Sequence, residues 1–249
     1  MSKIQQAGCL FGSLIRRHDG EINMSFHSDL FGWDYVWRHF ADQKGGQVIE
    51  GATGLDGIVI PAGDGSTVLI TPFVHHGKKR SKGTTVMTAF HPADDFVFSI
   101  QTEKLSDQVG KAFGMQDVQV QDAEFDGKFL IQGNDDARIQ RLFENVYLKD
   151  AILLQPPTQL RIEHDSSHFD PEWTVRGGSH VLVYRYDHLM EKIDQLQTAF
   201  DVVTTTLVQL AVLGAVSGKV PMRSNSSFEE EVAPQVQSHR LHSPLLDPT

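Results

Sequence analysis

VQVQDAEFDGKFLIQGNDDARIQRLF, running from Val118 to Phe143, changes its periodicity partway along. Val118 and Val120 alternate with polar residues, and Phe125, Phe129 and Ile131 share one face of a second run split at Asp126-Gly127. After Gly133-Asn134-Asp135-Asp136, the apolar residues Ile139, Leu142, Phe143 and Val146 recur at helical spacing. A period of two marks strands and a period near 3.6 marks a helix; Asn is a residue type suited to capping a helix start. The stretch therefore predicts strand, strand, helix, with Asn134 at the switch.

Upstream, Gln47–Ala52, Gly57–Ala62, Thr67–Val74, Thr84–Phe90 and Phe96–Gln101 are short runs rich in Val, Ile, Phe and Thr. Gly63-Asp64-Gly65-Ser66 and His91-Pro92-Ala93-Asp94 supply turns between them, which predicts an antiparallel meander. Ser28 is placed to cap a helix through about Asp42, with Leu30, Trp33, Trp37 and Phe40 on its inner face and Gly45-Gly46 ending it. Ser106–Phe113 reads as a short helix. Downstream, Gln159–Glu163, Trp173–Arg176 and Val181–Tyr186 read as strands, and a long helix spans about Tyr186 to Ala215. The expected fold is α+β, an antiparallel β-meander packed against a long C-terminal amphipathic helix and shorter helices. Residues 1–217 form one domain, and 218–249, with Glu229-Glu230-Glu231 and several prolines and serines, read as a flexible polar tail.

The chain has 249 residues, 40% hydrophobic and 22% charged, which suits a globular domain with a substantial core. Its formal net charge of −10 argues against nucleic acid as a partner. A single cysteine, Cys9, rules out an intramolecular disulfide and fits a reducing compartment, so a cytoplasmic location is expected. Leu10–Ile15 is too short for the core of a signal peptide. Val202–Val216 is largely apolar but is interrupted by Thr204, Thr205, Thr206 and Gln209, so no membrane span is expected.

Two clusters carry candidate chemistry. His164, His168 and Asp170 lie in the run His164-Asp165-Ser166-Ser167-His168-Phe169-Asp170, where two imidazoles flanked by carboxylates suit a divalent metal. A solvated loop between two strands accounts for the same residues. His75-His76 followed by Lys78, Lys79, Arg80 and Lys82 forms a basic loop suited to an anion, or a charged hairpin tip. Gly214–Val220 lacks the spacing and the Ser or Thr of a phosphate-binding loop. No dinucleotide fingerprint, nucleophile elbow, zinc-protease motif or paired-cysteine motif occurs, and no cofactor is expected. Leu189, Ile193, Leu196, Phe200, Val203, Leu207 and Leu210 form a heptad-like seam. Val202, Val208, Ala211 and Val212 widen it, which favours packing on the chain's own sheet over self-association.

Val120-Gln121-Asp122-Ala123-Glu124-Phe125-Asp126-Gly127-Lys128-Phe129 followed by Gly133-Asn134-Asp135 resembles the corresponding unit of a bacterial family of unknown function, DUF3137. The resemblance covers about residues 96–213 and does not extend to that family's N-terminal membrane helices. It implies a bacterial protein with an α+β fold and carries over no functional residues. The expected role is a non-catalytic binding or interaction domain, engaging a protein partner or a second copy through the C-terminal helix. One alternative is a protein that binds a small apolar ligand among Phe73, Phe90, Phe96, Phe98, Phe125, Phe129 and Trp173. A metal-dependent hydrolase at His164 and His168 is the other.

Overall fold

The computed structural model describes residues 32–49, 56–63, 65–75, 81–102, 116–164, 173–174, 178–220 and 223–224. Among these, the strands are β1 (Gln47–Ile49), β2 (Gly57–Pro61), β3 (Thr67–His75), β4 (Ser81–Pro92), β5 (Phe98–Thr102), β6 (Gln116–Asp117), β7 (Phe129–Gly133), β8 (Gln159–Glu163), β9 (Trp173–Thr174), β10 (His180–Tyr186), β11 (Val216–Val220) and β12 (Arg223–Ser224). The helices are α1 (Trp33–Lys44), α2 (Ala123–Lys128), α3 (Asp136–Leu142), α4 (Val146–Leu154) and α5 (Ile193–Val212). The large sheet is antiparallel throughout, in the order β1-β2-β3-β4-β10-β8-β5-β7-β6. The α+β architecture with a long C-terminal helix is therefore present.

The meander holds from β1 to β4, where Ala62 and Ser66 close the β2–β3 turn with a 2.8 Å backbone bond and Gly65 takes φ 88°. It then breaks, because β10 and β8 insert between β4 and β5. Along one edge of β4, β3 pairs with residues 81–88 and β11 takes over from Ala89 to Pro92. Strand pairing thus continues past Gly218, and β12 pairs with β9 beyond it. Residues 225–249 of the expected tail lie outside the described residues, as do the Ser28 cap and the Ser106–Phe113 helix.

The Val118–Phe143 stretch departs from strand–strand–helix in two places. Only Gln116 and Asp117 form β6, and the second expected strand begins as a helix, α2. Three side chains explain the difference. Asp122 accepts from the Phe125 amide at 3.2 Å and caps α2. Asp126 accepts from the amides of Val120 at 2.9 Å and Asp122 at 3.2 Å, folding the chain back through Gln121 at φ 60°. Lys149 then reaches Asp122 at 2.6 Å from α4. Phe125 and Phe129, four apart, meet with ring centroids 4.8 Å apart, a spacing that serves a helix turn as well as a strand face. The switch to a helix comes where expected, but Asp135 rather than Asn134 caps α3, accepting from the Arg138 amide at 3.0 Å. Asn134 instead ties the start of α3 to the β4–β5 connection, accepting from the Val97 amide at 3.0 Å and donating to the Asp95 carbonyl at 2.7 Å.

The helices lie on one face of the sheet. α5 turns Leu196, Ala199, Val202, Val203, Thr206, Leu207 and Leu210 inward, and packs on α1, α4, β4 and β10. Phe200, half-buried, meets Phe40 edge-on at 6.2 Å. The seam seen in the sequence is therefore occupied by the chain's own core. α5 starts at Ile193 rather than near Tyr186, because the preceding turn is fixed by polar contacts. The Trp37 indole donates to the Met190 carbonyl at 2.8 Å, and Thr84 Oγ1 bonds both the Met190 amide and the His188 carbonyl at 3.0 Å. Gly45, at φ 69°, ends α1 as expected.

Candidate functional site

Antiparallel pairing of β8 with β10 places Glu163 opposite Val181, so the next position on each strand sets His164 opposite His180. Directly opposed residues on one face of a sheet have close Cβ atoms, about 4.5–5.5 Å apart. Here the rings meet: His164 Nδ1 lies 3.1 Å from His180 Nε2, with centroids 4.4 Å apart and planes at 79°. Phe90 of β4 closes the other side of His180, edge-on at 5.8 Å. His180 is 9% exposed, and its Nδ1 has no hydrogen-bond partner among the described residues. Burial, with a smaller contribution from His164, holds its pKa below the ordinary histidine value.

The opposite face of the same two strands is different. Glu163, Arg161 and Arg185 alternate there with Val181 and Val183, beside Leu69, Met87 and Ala89. Arg161 Nε donates to Glu163 Oε1 at 2.6 Å. The second oxygen of Glu163 and Nε of Arg185 are buried without hydrogen-bond partners among the described residues. The Arg185 guanidinium sits over the Phe73 ring at 5.7 Å, and burial lowers its pKa.

Of the expected metal ligands, His164 is described, whereas His168 and Asp170 lie outside the described residues. Among the described residues no three of His, Cys, Asp and Glu converge as a ligand set. His180 is the residue that sequence reading missed. It opens β10, sixteen residues after His164, and only the strand register brings the two together. Of the expected anion site, Lys78, Lys79 and Arg80 lie outside the described residues. Lys82 is in β4 and places its ammonium 5.5 Å from the Trp33 ring centroid.

Of the phenylalanines considered as a ligand lining, Phe90, Phe96, Phe98, Phe125 and Phe129 are buried and fill the core. Phe98 and Phe125 both pack on Phe143, at 6.2 and 5.3 Å. The side chain of Trp173 lies outside the described residues. A recess between α1 and β2, lined by Trp33, Trp37, Arg38, Val48 and Ile58, holds about 10 Å³. That is room for about one water. Among the described residues no helix is long and apolar enough to cross a membrane.

No family model matches the chain, and no curated protein matches it. Among solved structures, it is similar to the mycobacterial trehalose monomycolate transport factor A, at 9% sequence identity over 75% of this chain and 98% of that chain, with a TM-score of 0.49.

Proposed function

We propose that this protein is a non-catalytic interaction domain whose α5 helix is shared between its own core and a protein partner. The observation that carries this reading is the outward side of the last turns of α5. Val208 is 48% and Val212 68% exposed, and Ala211 between them is exposed too. No charged residue occurs from Val202 to Gly218, so this end of the helix meets solvent without the charges that usually cover a surface helix. Helix α4, which packs on α5, adds Tyr147 at 87% and Leu154 at 78% exposed. The acid-rich Asp122–Asp135 segment supports the same reading, because Asp122, Asp126 and Asp135 are committed to caps and turns. The lone Cys9 and the acidic balance suit a reducing, cytoplasmic setting.

The test is a photo-crosslinking residue at position 212, compared with one at exposed Asp201 on the same helix, in producing cells and in the purified chain. Discrete crosslinked products at 212, absent at 201 and lost on Val208→Asp, are expected. Equal labelling at both positions, or none at 212, overturns the reading. Sedimentation across concentrations then separates a second copy from a different partner.

A further inference from the structure

We propose that His164 and His180 form a cross-strand two-histidine site for a late first-row divalent cation of the Zn²⁺, Ni²⁺ or Cu²⁺ class. The site is independent of the α5 surface and sits where β8 ends and β10 begins. The β8–β10 register runs to the Glu163–Val181 pair, and His164 and His180 each adjoin that last pair. The facing nitrogens are 3.1 Å apart. Imidazole binds these metals at roughly 2.0–2.1 Å, and two such bonds meeting at a square-planar to tetrahedral angle separate their nitrogens by roughly 2.9–3.4 Å. The observed spacing falls inside that bite.

Each neutral imidazole has one bare nitrogen to offer a metal. Two imidazoles at this distance share one proton when no metal is present. A metal takes the place of that proton between the facing nitrogens, the displaced proton passes to the far nitrogen that lacked one, and each ring then carries one N–H on its far side. His180 is buried against Phe90, which packs edge-on against its ring. Since no third His, Cys, Asp or Glu joins the pair among the described residues, water or an added ligand completes the coordination. Imidazole nitrogen favours Cu²⁺, Ni²⁺ and Zn²⁺ over oxygen-seeking Mg²⁺ and Ca²⁺. A bound cation would tie the end of β8 to the start of β10, whose connecting segment begins at residue 165.

The test is calorimetric titration of the full chain with Ni²⁺ and Zn²⁺ at pH 7.5 and 5.5, with Mg²⁺ as the control cation. Uptake of one Ni²⁺ at pH 7.5 is expected, weakened at least tenfold at pH 5.5. His164→Ala and His180→Ala should each weaken it at least tenfold, while His188→Ala, at an exposed site, leaves it unchanged. Cu²⁺ paramagnetic resonance on the unaltered chain gives a readout that does not depend on variants folding, and two equatorial imidazole nitrogens are expected. Absence of Ni²⁺ uptake, uptake retained in both histidine variants, or a spectrum showing one nitrogen or none overturns the proposal.

Discussion

Tyr184 and Glu163 sit on adjacent strands of one sheet, both buried, and face opposite ways. On the helix-covered face, the Tyr184 hydroxyl donates to the Gln155 carbonyl at 2.8 Å. The Gln155 amide in turn donates to the Tyr184 oxygen at 3.3 Å and to the Gln195 carbonyl at 3.2 Å. Burial raises the Tyr184 pKa, so the phenol stays protonated and keeps its proton for that bond. On the other face, Glu163 has one oxygen committed to Arg161 and one without a partner among the described residues. An unmet buried polar atom costs free energy that a paired one does not. On the helix-covered face Tyr184 and Gln155 thus act as fasteners inside a large apolar core, while the other face surrounds a smaller apolar cluster with charge. Stability should therefore be concentrated on the helix side.

The largest test of that contrast is Phe125→Ala. Phe125 is fully buried between Phe129 and Phe143, and its loss should cost about 3–5 kcal/mol in denaturant unfolding. Leu207→Ala, at 1% exposure, should cost about 2–5 kcal/mol. For both variants the midpoint should be independent of protein concentration, and a concentration-dependent midpoint would mean that α5 completes its core only in an assembly. Next in size is Gly133→Ala on the same face. A Cβ there would lie 2.3 Å from Ile139 Cδ1 and 2.7 Å from the Val97 carbonyl oxygen, so overpacking should cost about 1–3 kcal/mol.

The same measurement on the opposite face should give a smaller number. Glu163→Gln keeps an oxygen for Arg161, whose side chain is 30% exposed, and should change stability by less than about 1 kcal/mol. A loss as large as that of Phe125→Ala would show that the charged network organises its face. The smallest expected effect is at the rim, where the Arg138 guanidinium holds the Asp94 carboxyl below its ordinary pKa. A carboxylate with a depressed folded pKa stabilises the fold above its unfolded pKa, and that contribution is lost as pH falls through the folded value. Below about pH 4 the native chain should lose stability more steeply than Asp94→Asn. Both side chains are 32% exposed, so solvent screening keeps the difference small.

Local signals were legible in the sequence, and non-local ones were not. Gln159–Glu163 is the observed β8, and the Gly133–Asp136 switch does divide β7 from α3, because periodicity and capping act within a few residues. The buried seam of α5 was legible for the same reason. Helix α2 was not, since its six residues bury only Phe125, too few to show a period, and Asp122 and Asp126 decide its backbone. The insertion of β8 and β10 between β4 and β5 leaves no trace in any local window. The His164–His180 pair was hidden in the same way: His164 was visible as a candidate, but its neighbour is set by register across the sheet.

The strand order has a consequence for the chain while it is being made. Once Pro92 has left the ribosome, β4 has β3 on one side, but its other edge belongs to β10 and must wait for His180–Tyr186. The waiting edge, Thr84 to Phe90, contains no charge, no proline and no glycine. At usual elongation rates that wait is on the order of ten seconds. An open, uncharged strand edge is a template for pairing with neighbouring chains, so a nascent copy is most vulnerable to aggregation in that interval. Faster synthesis through Tyr186, or a chaperone shielding the edge until β10 arrives, should therefore raise yield more than added stability of the finished fold.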